Sequence, residues 1–249
     1  MTDSAGVPWE GRRFEHNASS GDDGSAPEKL MEAIRRFRAG ELGEREVVDA
    51  VRESRLLVPL IARLGETGTN DHGHLVDKSQ ELAIVTVQGP DGRTVLPAFT
   101  SVSSMLVWNP DARPVPVAGT RVALAAAAES TDLVVLDATS DSEFVIRRPA
   151  LWAIAQTRRW IPSYLDDEVL SAFMDSAEPE PAVRAVQLAP GDPRARLAGP
   201  ELVVHLSLEP GLDRRSLHAV LERMRERWTS SSVIAERVDS MRVQLVGGA

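Results

Sequence analysis

The sequence contains no cysteine, which excludes disulfide bonds, thiolate zinc sites, iron–sulfur clusters and cysteine nucleophiles. Long hydrophobic runs are also missing: the longest, residues 122–128, has seven residues, far below the roughly 18 consecutive apolar residues of a membrane span. The first thirty residues hold Arg12, Arg13, Asp22 and Asp23 but no apolar segment of the kind that a secretory signal requires. We therefore expect a cytoplasmic protein.

An excess of basic residues is absent as well. Lys+Arg 28 against Asp+Glu 37 gives a formal net charge of -9. Proteins that bind nucleic acid or anionic membranes normally carry more Lys and Arg than Asp and Glu, so neither partner is expected. The 43% hydrophobic and 26% charged residues are typical of a soluble globular protein. A chain of 249 residues forms one large domain or two small ones.

The distribution of apolar residues divides the chain into an arm and two domains. Residues 1–24 are rich in Gly, Ser and Asp and have no hydrophobic period, which predicts a flexible, disordered arm. Residues 25–174 form the first predicted domain and residues 182–249 the second. The acidic stretch 175–182 contains two prolines and is predicted as a linker. The predicted fold class is α+β, a mixed α/β sheet with helices, in two small domains.

Local signals predict the individual elements. A capping box at Ser25–Glu28 predicts the start of a helix, and the turn at Gly89–Gly92 predicts a hairpin. Residues 113–117, with two prolines, are predicted as a connector. The other predicted elements of the first domain are helices at 42–54, at 100–108, at 120–129 and from 149 onward, and strands at 55–61, 82–87, 94–99, 133–136 and 143–146. The second domain is predicted as strands 183–188, 202–208 and 241–246 with a helix at 213–228.

Six short segments of the sequence together resemble an actinobacterial SseB family protein. They are Gly21–Pro27, Arg55–Leu60, Leu96–Ser101, Trp108–Pro110, Asp132–Asp137 and Arg148–Trp152. The resemblance covers residues 21–165, the SseB N-terminal domain, and residues 182–246 are more loosely similar to the family's C-terminal domain. Because the segments are strand, turn and cap signatures, the resemblance implies a fold, and it brings no established reaction and no catalytic residues with it.

The motifs of common catalytic and cofactor sites are missing. The sequence has no Gly-x-Ser-x-Gly nucleophile elbow. It has neither of the glycine-rich phosphate loops, Gly-x-Gly-x-x-Gly and Gly-x-x-x-x-Gly-Lys-Ser/Thr. We therefore expect no catalytic residues, no cofactor and a protein that is not an enzyme.

One polar stretch contains candidate metal ligands. His72, His74 and Asp77 supply imidazole and carboxylate groups, which bind zinc and other divalent ions. Alternate residues of an extended segment point in opposite directions, however, and the spacing matches no common metal site. The interpretation that we adopt is a polar loop that binds no metal.

The predicted helix at 213–228 has an apolar stripe and a basic back. The stripe, spaced as the buried face of a helix, consists of Leu217, Val220, Leu221, Met224 and Trp228. The back carries Arg214, Arg215, Arg223, Arg225 and Arg227, partly offset by Glu222 and Glu226. These arginines form either a surface for an acidic partner or the solvated side of a core helix.

Three tryptophans lie near predicted helix ends or connectors, and exposed tryptophans are frequent anchors of protein interfaces. We expect two of Trp108, Trp152 and Trp160 to fill the core and the third to lie on a binding surface. The candidate partner surface therefore comprises Trp108, Trp152, Arg214, Arg215, Arg223 and Arg227.

Two functional hypotheses remain at this point. The first is a cytoplasmic, non-enzymatic protein that acts by protein–protein contact or regulatory binding. It would have a protein partner, and the sequence leaves open both the identity of this partner and the oligomeric state. The second is a small-molecule-binding regulator or an enzyme connected with amino-acid metabolism, specifically serine, as the family's name suggests.

Overall fold

A computed structural model describes residues 22–63, 68–69, 75–76, 81–128 and 131–246. Within them the first part of the chain contains α1 (Glu28–Arg38), α2 (Glu44–Glu53), β1 (Arg55–Arg63), β2 (Gly68–Thr69), β3 (Leu75–Val76), β4 (Glu81–Ile84), β5 (Val87–Gln88), β6 (Thr94–Ala98), α3 (Val102–Trp108), β7 (Arg113–Ala118), α4 (Gly119–Ala128), β8 (Leu133–Leu136), β9 (Phe144–Arg147) and α5 (Arg148–Ala155). A 3-10 turn (Ser163–Leu165), α6 (Asp167–Ala177), β10 (Val183–Pro190), β11 (Leu202–Leu208), α7 (Arg214–Ser230), α8 (Ser232–Arg237) and β12 (Met241–Val246) follow. The structure confirms the α+β class. Most of the predicted arm, residues 1–21, lies outside the described residues.

Two sheets form the first core. One has the strand order β4–β1–β7 and the other β5–β6–β8–β9, in which β6 and β8 are parallel. A bridge between Leu57 and Phe99 joins them, with both backbone N–H···O distances at 2.8 Å. Helices α1, α2, α4 and α5 pack on them through an apolar cluster that includes Leu30, Val47 and Ile154.

The strand β7 corrects the prediction of a proline-rich connector at 113–117. Pro114 and Pro116 pair with β1 in an antiparallel ladder, Pro116 opposite Leu57. Since the N–H and C=O of Leu57 bond to Phe99, this pair needs no hydrogen bond from Pro116. Prolines two residues apart therefore fit an edge strand without loss of a ladder bond.

The second core is a three-stranded sheet covered by three helices. Its order is β10–β11–β12, with β10 antiparallel and β12 parallel to β11. The apolar stripe of α7 is buried at Val220, Met224 and Trp228. The Trp228 indole N–H donates to Ser176 Oγ of α6 at 2.7 Å. The three predicted strands and the long helix of this region are therefore present.

The packing boundary between the two cores falls between α5 and α6. Helix α6 packs on the second sheet through Val169 and Phe173. The predicted linker, residues 175–182, holds the end of α6 and the turn into β10. The domain limits that the sequence suggests, 25–174 and 182–249, stay a prediction.

The connection between β10 and β11 returns to the first core. Leu197 packs against Val95, Leu133 and Val145 on the sheet face opposite the helices, and the Val145 N–H donates to the Ala195 carbonyl at 2.8 Å. The short apolar strands β8 and β9 are therefore buried on both faces, as their unbroken hydrophobic runs require. No helix in the described part of the chain is long and apolar enough to cross a membrane.

Candidate functional site

A cleft of about 340 Å³ lies where the two cores meet. We call it the Trp152 cleft. The first core and the segment after it supply Pro149, Trp152, Ala153, Gln156, Arg158, Arg159, Trp160 and Ile161, and the second core supplies Asp166, Glu236 and Arg237. Clefts between packed units are common places for ligands and partners.

Helix α5 determines which way Trp152 faces. Pro149 in its first turn starts the helix at no cost in hydrogen bonds. Leu151 and Ile154 are buried against the first core. Trp152, about 100° further around the helix than Leu151, remains 40% exposed. Its ring is therefore presented on the cleft side of the helix.

Arg148 holds the Trp152 ring from one turn earlier. Its guanidinium lies 5.0 Å from the ring centroid, a cation–π contact between residues four apart on a helix. The same guanidinium donates to the carbonyls of Ala235 at 3.0 Å and Val238 at 2.9 Å, at the end of α8. These carbonyls have no partner inside the helix, so a cation there is favourable. Arg148 thus ties the orientation of Trp152 to the second core.

The end of α5 positions two further arginines. Thr157 has a positive φ of 52° and closes the helix with two backbone bonds, Thr157 N–H to Ile154 at 3.0 Å and Arg158 N–H to Ala153 at 2.8 Å. This is the Schellman arrangement, in which glycine is usual at the left-handed position. The reversal places the exposed side chains of Arg158 and Arg159 beside the cleft.

The charges that line the cleft are unevenly paired. Arg237 binds Asp166 at 2.8 Å and Glu168 at 2.7 Å. Arg158 and Arg159 form no ion pair with any residue that the structure describes. The lining holds three arginines against two carboxylates, in a chain whose net charge is -9. The first-core side of the cleft, with Arg158 and Arg159, is therefore locally basic on an acidic protein.

Trp160 closes one side of the cleft. Its side chain is 7% exposed and packs in the first core. Its indole Nε1 is buried without a hydrogen-bond partner in the described part of the chain. Buried donors are nearly always paired, so this N–H is an exception.

A buried ionic network beside the cleft joins the two cores. Arg147, the residue before Arg148, donates to Asp192 Oδ2 at 2.8 Å and to Asp239 Oδ2 at 3.1 Å. Arg93 binds the same Asp239 carboxylate through both oxygens, at 3.0 and 2.9 Å. The network connects β9, the β5–β6 hairpin, the β10–β11 connection and the start of β12, and so fixes the two walls of the cleft relative to each other.

Two carboxyl groups next to this network have raised pKa values. Glu201 accepts hydrogen bonds from Ser163 Oγ at 3.0 Å and from the Asp239 N–H at 2.6 Å, and burial raises its pKa. Burial, and then the charge of Glu201, raise the pKa of Glu44 to about 7. Tyr164, whose hydroxyl is 3.5 Å from Glu44 Oε1, has its pKa raised by burial and by that carboxylate.

Comparison with known families decides the identity of the first core. The profile of the SseB protein N-terminal domain matches residues 28–153. The chain belongs to the SseB family. No curated protein and no solved structure matches it. The matched SseB domain ends inside α5, one residue after Trp152, so the Trp152 cleft is built partly by the SseB domain and partly by the chain that follows it.

Three of the five tryptophans, the candidates named from the sequence, have different surroundings. Trp160 is buried and Trp108 is half-buried, its ring 5.2 Å from that of Phe99. Trp152 is exposed. The burial thus singles out Trp152, whereas its role in a partner surface stays a prediction.

The four candidate arginines of α7 do not share one environment. Arg223 donates to Glu180 through two nitrogens, at 2.9 and 2.5 Å, and Arg227 donates to the same carboxylate. Hydrogen bonds from Arg223 lower the pKa of Glu180 to about 2. Arg214 and Arg215, at the start of α7, are exposed and have no ion pair with a described residue. Two of the four arginines, Arg223 and Arg227, therefore pair with a carboxylate of the chain itself.

The candidate metal ligands His72, His74 and Asp77 lie outside the described residues. Within the described residues, no group of three or more His, Asp or Glu side chains is placed to hold a metal ion. Sequence reasoning missed Glu236 and Arg237, which line the cleft. No local pattern could have revealed them, because α8 and α5 meet only through the tertiary fold.

Proposed function

We propose that this SseB-family chain is a non-enzymatic protein that binds a partner protein at the Trp152 cleft. The observation that carries the proposal is the 40% exposed Trp152 ring, held by Arg148 at the rim of a cleft between two cores. Tryptophan and arginine are the residues most enriched at the energetic centres of protein interfaces. An exposed ring that is already fixed in orientation loses little conformational freedom on binding.

The proposal extends to the setting of the protein. We propose that residues 182–249 are the C-terminal SseB-like domain of an actinobacterial, cytoplasmic protein. The support is the sequence resemblance of residues 182–246, together with the separate apolar cluster that the second sheet and its helices form.

Affinity purification from the native lysate tests the proposed function. Tagged wild-type chain, Trp152→Ala, Leu245→Ala and the tag alone would be compared by quantitative mass spectrometry. Leu245 is a matched control because it is 43% exposed, close to the exposure of Trp152, but lies on β12. We expect one partner protein to co-purify in stoichiometric amount with wild type and with Leu245→Ala, and to be lost with Trp152→Ala. Equal recovery with all three chains would contradict the proposal.

The second candidate function is a regulator that binds a small amino acid in the same cleft. Its volume of about 340 Å³ favours this candidate, because it lies within the range of small-molecule sites. A ligand that binds only the folded chain raises the melting temperature. A rise in melting temperature with serine that Trp152→Ala abolishes would favour the regulator over the protein-binding function. An unchanged melting temperature with serine and related amino acids would dismiss the regulator.

A further inference from the structure

The basic rim of the Trp152 cleft selects the chemistry of its occupant. Arg158 and Arg159 are adjacent, exposed and without an ion pair among the described residues. The other arginine of the lining, Arg237, is already neutralised by Asp166 and Glu168. The unused positive charge is therefore concentrated on one side of the cleft, where a carboxylate would gain charge-assisted hydrogen bonds.

An apolar surface lies beside this charge. Trp152 and Ile161 are 40% and 46% exposed and both line the cleft. A ligand that only carried negative charge would leave this surface in water. An occupant that also presents an aromatic or aliphatic side chain would cover it and gain the hydrophobic contribution.

The opposite wall argues against a polyanion as occupant. Asp166, Glu168 and Glu236 place carboxylates at or next to the second-core side of the cleft. A nucleic acid carries phosphates along its whole length and would meet these groups, whereas a peptide can present its acidic residues to one wall only. The net charge of -9 also opposes the long-range approach of a polyanion.

We infer that the partner segment bound at the Trp152 cleft is an acidic peptide stretch with apolar side chains, whose carboxylates pair with Arg158 and Arg159 while an apolar side chain packs on Trp152 and Ile161. The inference rests on the proposed function, because it specifies the partner of the same site.

Peptide selection on the full chain tests the inference without a known partner. A random library of short peptides would be selected on the wild-type protein. The selected peptides would then be labelled and titrated by fluorescence anisotropy against three variants: Trp152→Ala, Arg158→Gln/Arg159→Gln, and Arg113→Gln/Arg242→Gln. The last is a matched control, since it also removes two exposed arginines without an ion pair among the described residues, one on β7 and one on β12.

We expect the selected peptides to be rich in Asp and Glu and to contain aromatic or large aliphatic residues. Affinity should fall by about tenfold or more in Arg158→Gln/Arg159→Gln, since both charge-assisted contacts to the peptide carboxylates are lost. Trp152→Ala should weaken binding similarly, Arg113→Gln/Arg242→Gln should leave it unchanged, and about 0.5 M salt should reduce it. Unchanged thermal unfolding of the variants would show that they are folded.

The outcomes separate the inference from the proposed function. Peptides that depend on Trp152 but are neutral or basic, or that bind Arg158→Gln/Arg159→Gln as well as wild type, would overturn the inference and leave the proposed function standing. Equal losses in the two double variants would also overturn it, because they would show a general charge effect. Selection that yields no Trp152-dependent peptide would overturn both. Self-association of the chain that Trp152→Ala abolishes would assign the cleft to a second copy, against the inference.

Discussion

Arg147 Nη2 and Asp192 Oδ2 lie 2.8 Å apart, with side chains that are 7% and 3% exposed. Arg147 ends a strand of the SseB domain, and Asp192 starts the segment between β10 and β11. The pair thus connects the two cores. Asp192 also accepts the N–H of Leu197 at 2.7 Å, which holds that residue on the first sheet.

We expect Arg147→Met to lower the free energy of unfolding by about 3–5 kcal/mol, because it leaves the buried carboxylate of Asp192 without its cation and Asp239 with Arg93 alone. Denaturant unfolding measures this loss. The exposed pair Arg184–Glu209, at 2.7 Å, provides the control: Arg184→Met should cost less than about 1 kcal/mol. Equal losses for the two variants would contradict the role of Arg147.

Asp137 is the buried cross-link between the loops that follow β6 and β8. Its carboxylate accepts from Thr100 N–H at 2.8 Å, Thr100 Oγ1 at 2.7 Å and Ser142 Oγ at 2.8 Å. Asp137→Ala should lower the free energy of unfolding by about 3 kcal/mol, because buried donors lose their acceptor. Asp132→Ala, at the exposed start of the same strand, should change it little. Chemical denaturation compares the two, and a small effect of Asp137→Ala would show that the loops are held by other contacts.

Glu44 makes stability depend on pH. Its pKa is about 7 in the folded chain, against an ordinary value of 4.5 that we assign to the unfolded chain. Between these values the unfolded chain releases the proton and the folded chain keeps it. This contribution to stability is therefore complete below the unfolded value and is lost as pH rises through about 7.

Glutamine at position 44 cannot ionise. In Glu44→Gln the free energy of unfolding should therefore lack the fall that Glu44 causes as the pH rises. We subtract the free energy of unfolding of wild type from that of the variant at each pH. This difference should be more positive at pH 8 than at pH 5, by up to about 3 kcal/mol. Denaturant unfolding at several pH values measures the difference. Glu53→Gln, an exposed position at the end of the same helix, should follow the wild-type profile. A Glu44→Gln profile parallel to that of wild type would refute the assignment.

Gly119 allows α4 to begin directly against the end of α2. A Cβ at this position would lie 2.1 Å from the Val51 carbonyl oxygen. We expect Gly119→Ala to lower the free energy of unfolding by about 2 kcal/mol or more, because a backbone segment has to move. At Gly43 an added Cβ meets only the flexible Glu46 carboxylate, at 3.2 Å. Gly43→Ala should therefore cost less than about 1 kcal/mol, and thermal unfolding that ranks the two in the opposite order would be inconsistent with this packing.

Local patterns were sufficient to predict much of the fold. The hairpin at Gly89–Gly92 and the buried positions of α7 follow from turn chemistry and helical spacing, and both are present. The strand β7 was predicted wrongly, because the prolines that normally break a strand lie here at positions that need no ladder bond. That depends on the bridge between Leu57 and Phe99, which only the tertiary fold forms.

The candidate site could be predicted only in part. Trp152 was recognised by its residue type and its place near a helix start. The sequence could not separate it from Trp108, because their exposure depends on which neighbours cover them. The sequence could not show that Glu180 pairs with Arg223 and Arg227 on α7, since Glu180 lies 43 and 47 positions before the arginines that it binds. The contact of Arg148 with Val238 spans 90 positions and has no sequence signature.

Site-specific photo-crosslinking tests the central claim most directly. A photoreactive phenylalanine analogue would replace Gln156, an exposed residue of the cleft lining, in one chain and Leu245 in another, and both would be irradiated in the native cells. If the Trp152 cleft docks a partner protein, position 156 should give one discrete crosslinked species that position 245 does not give. The same species from both positions, or none from position 156, would contradict the account.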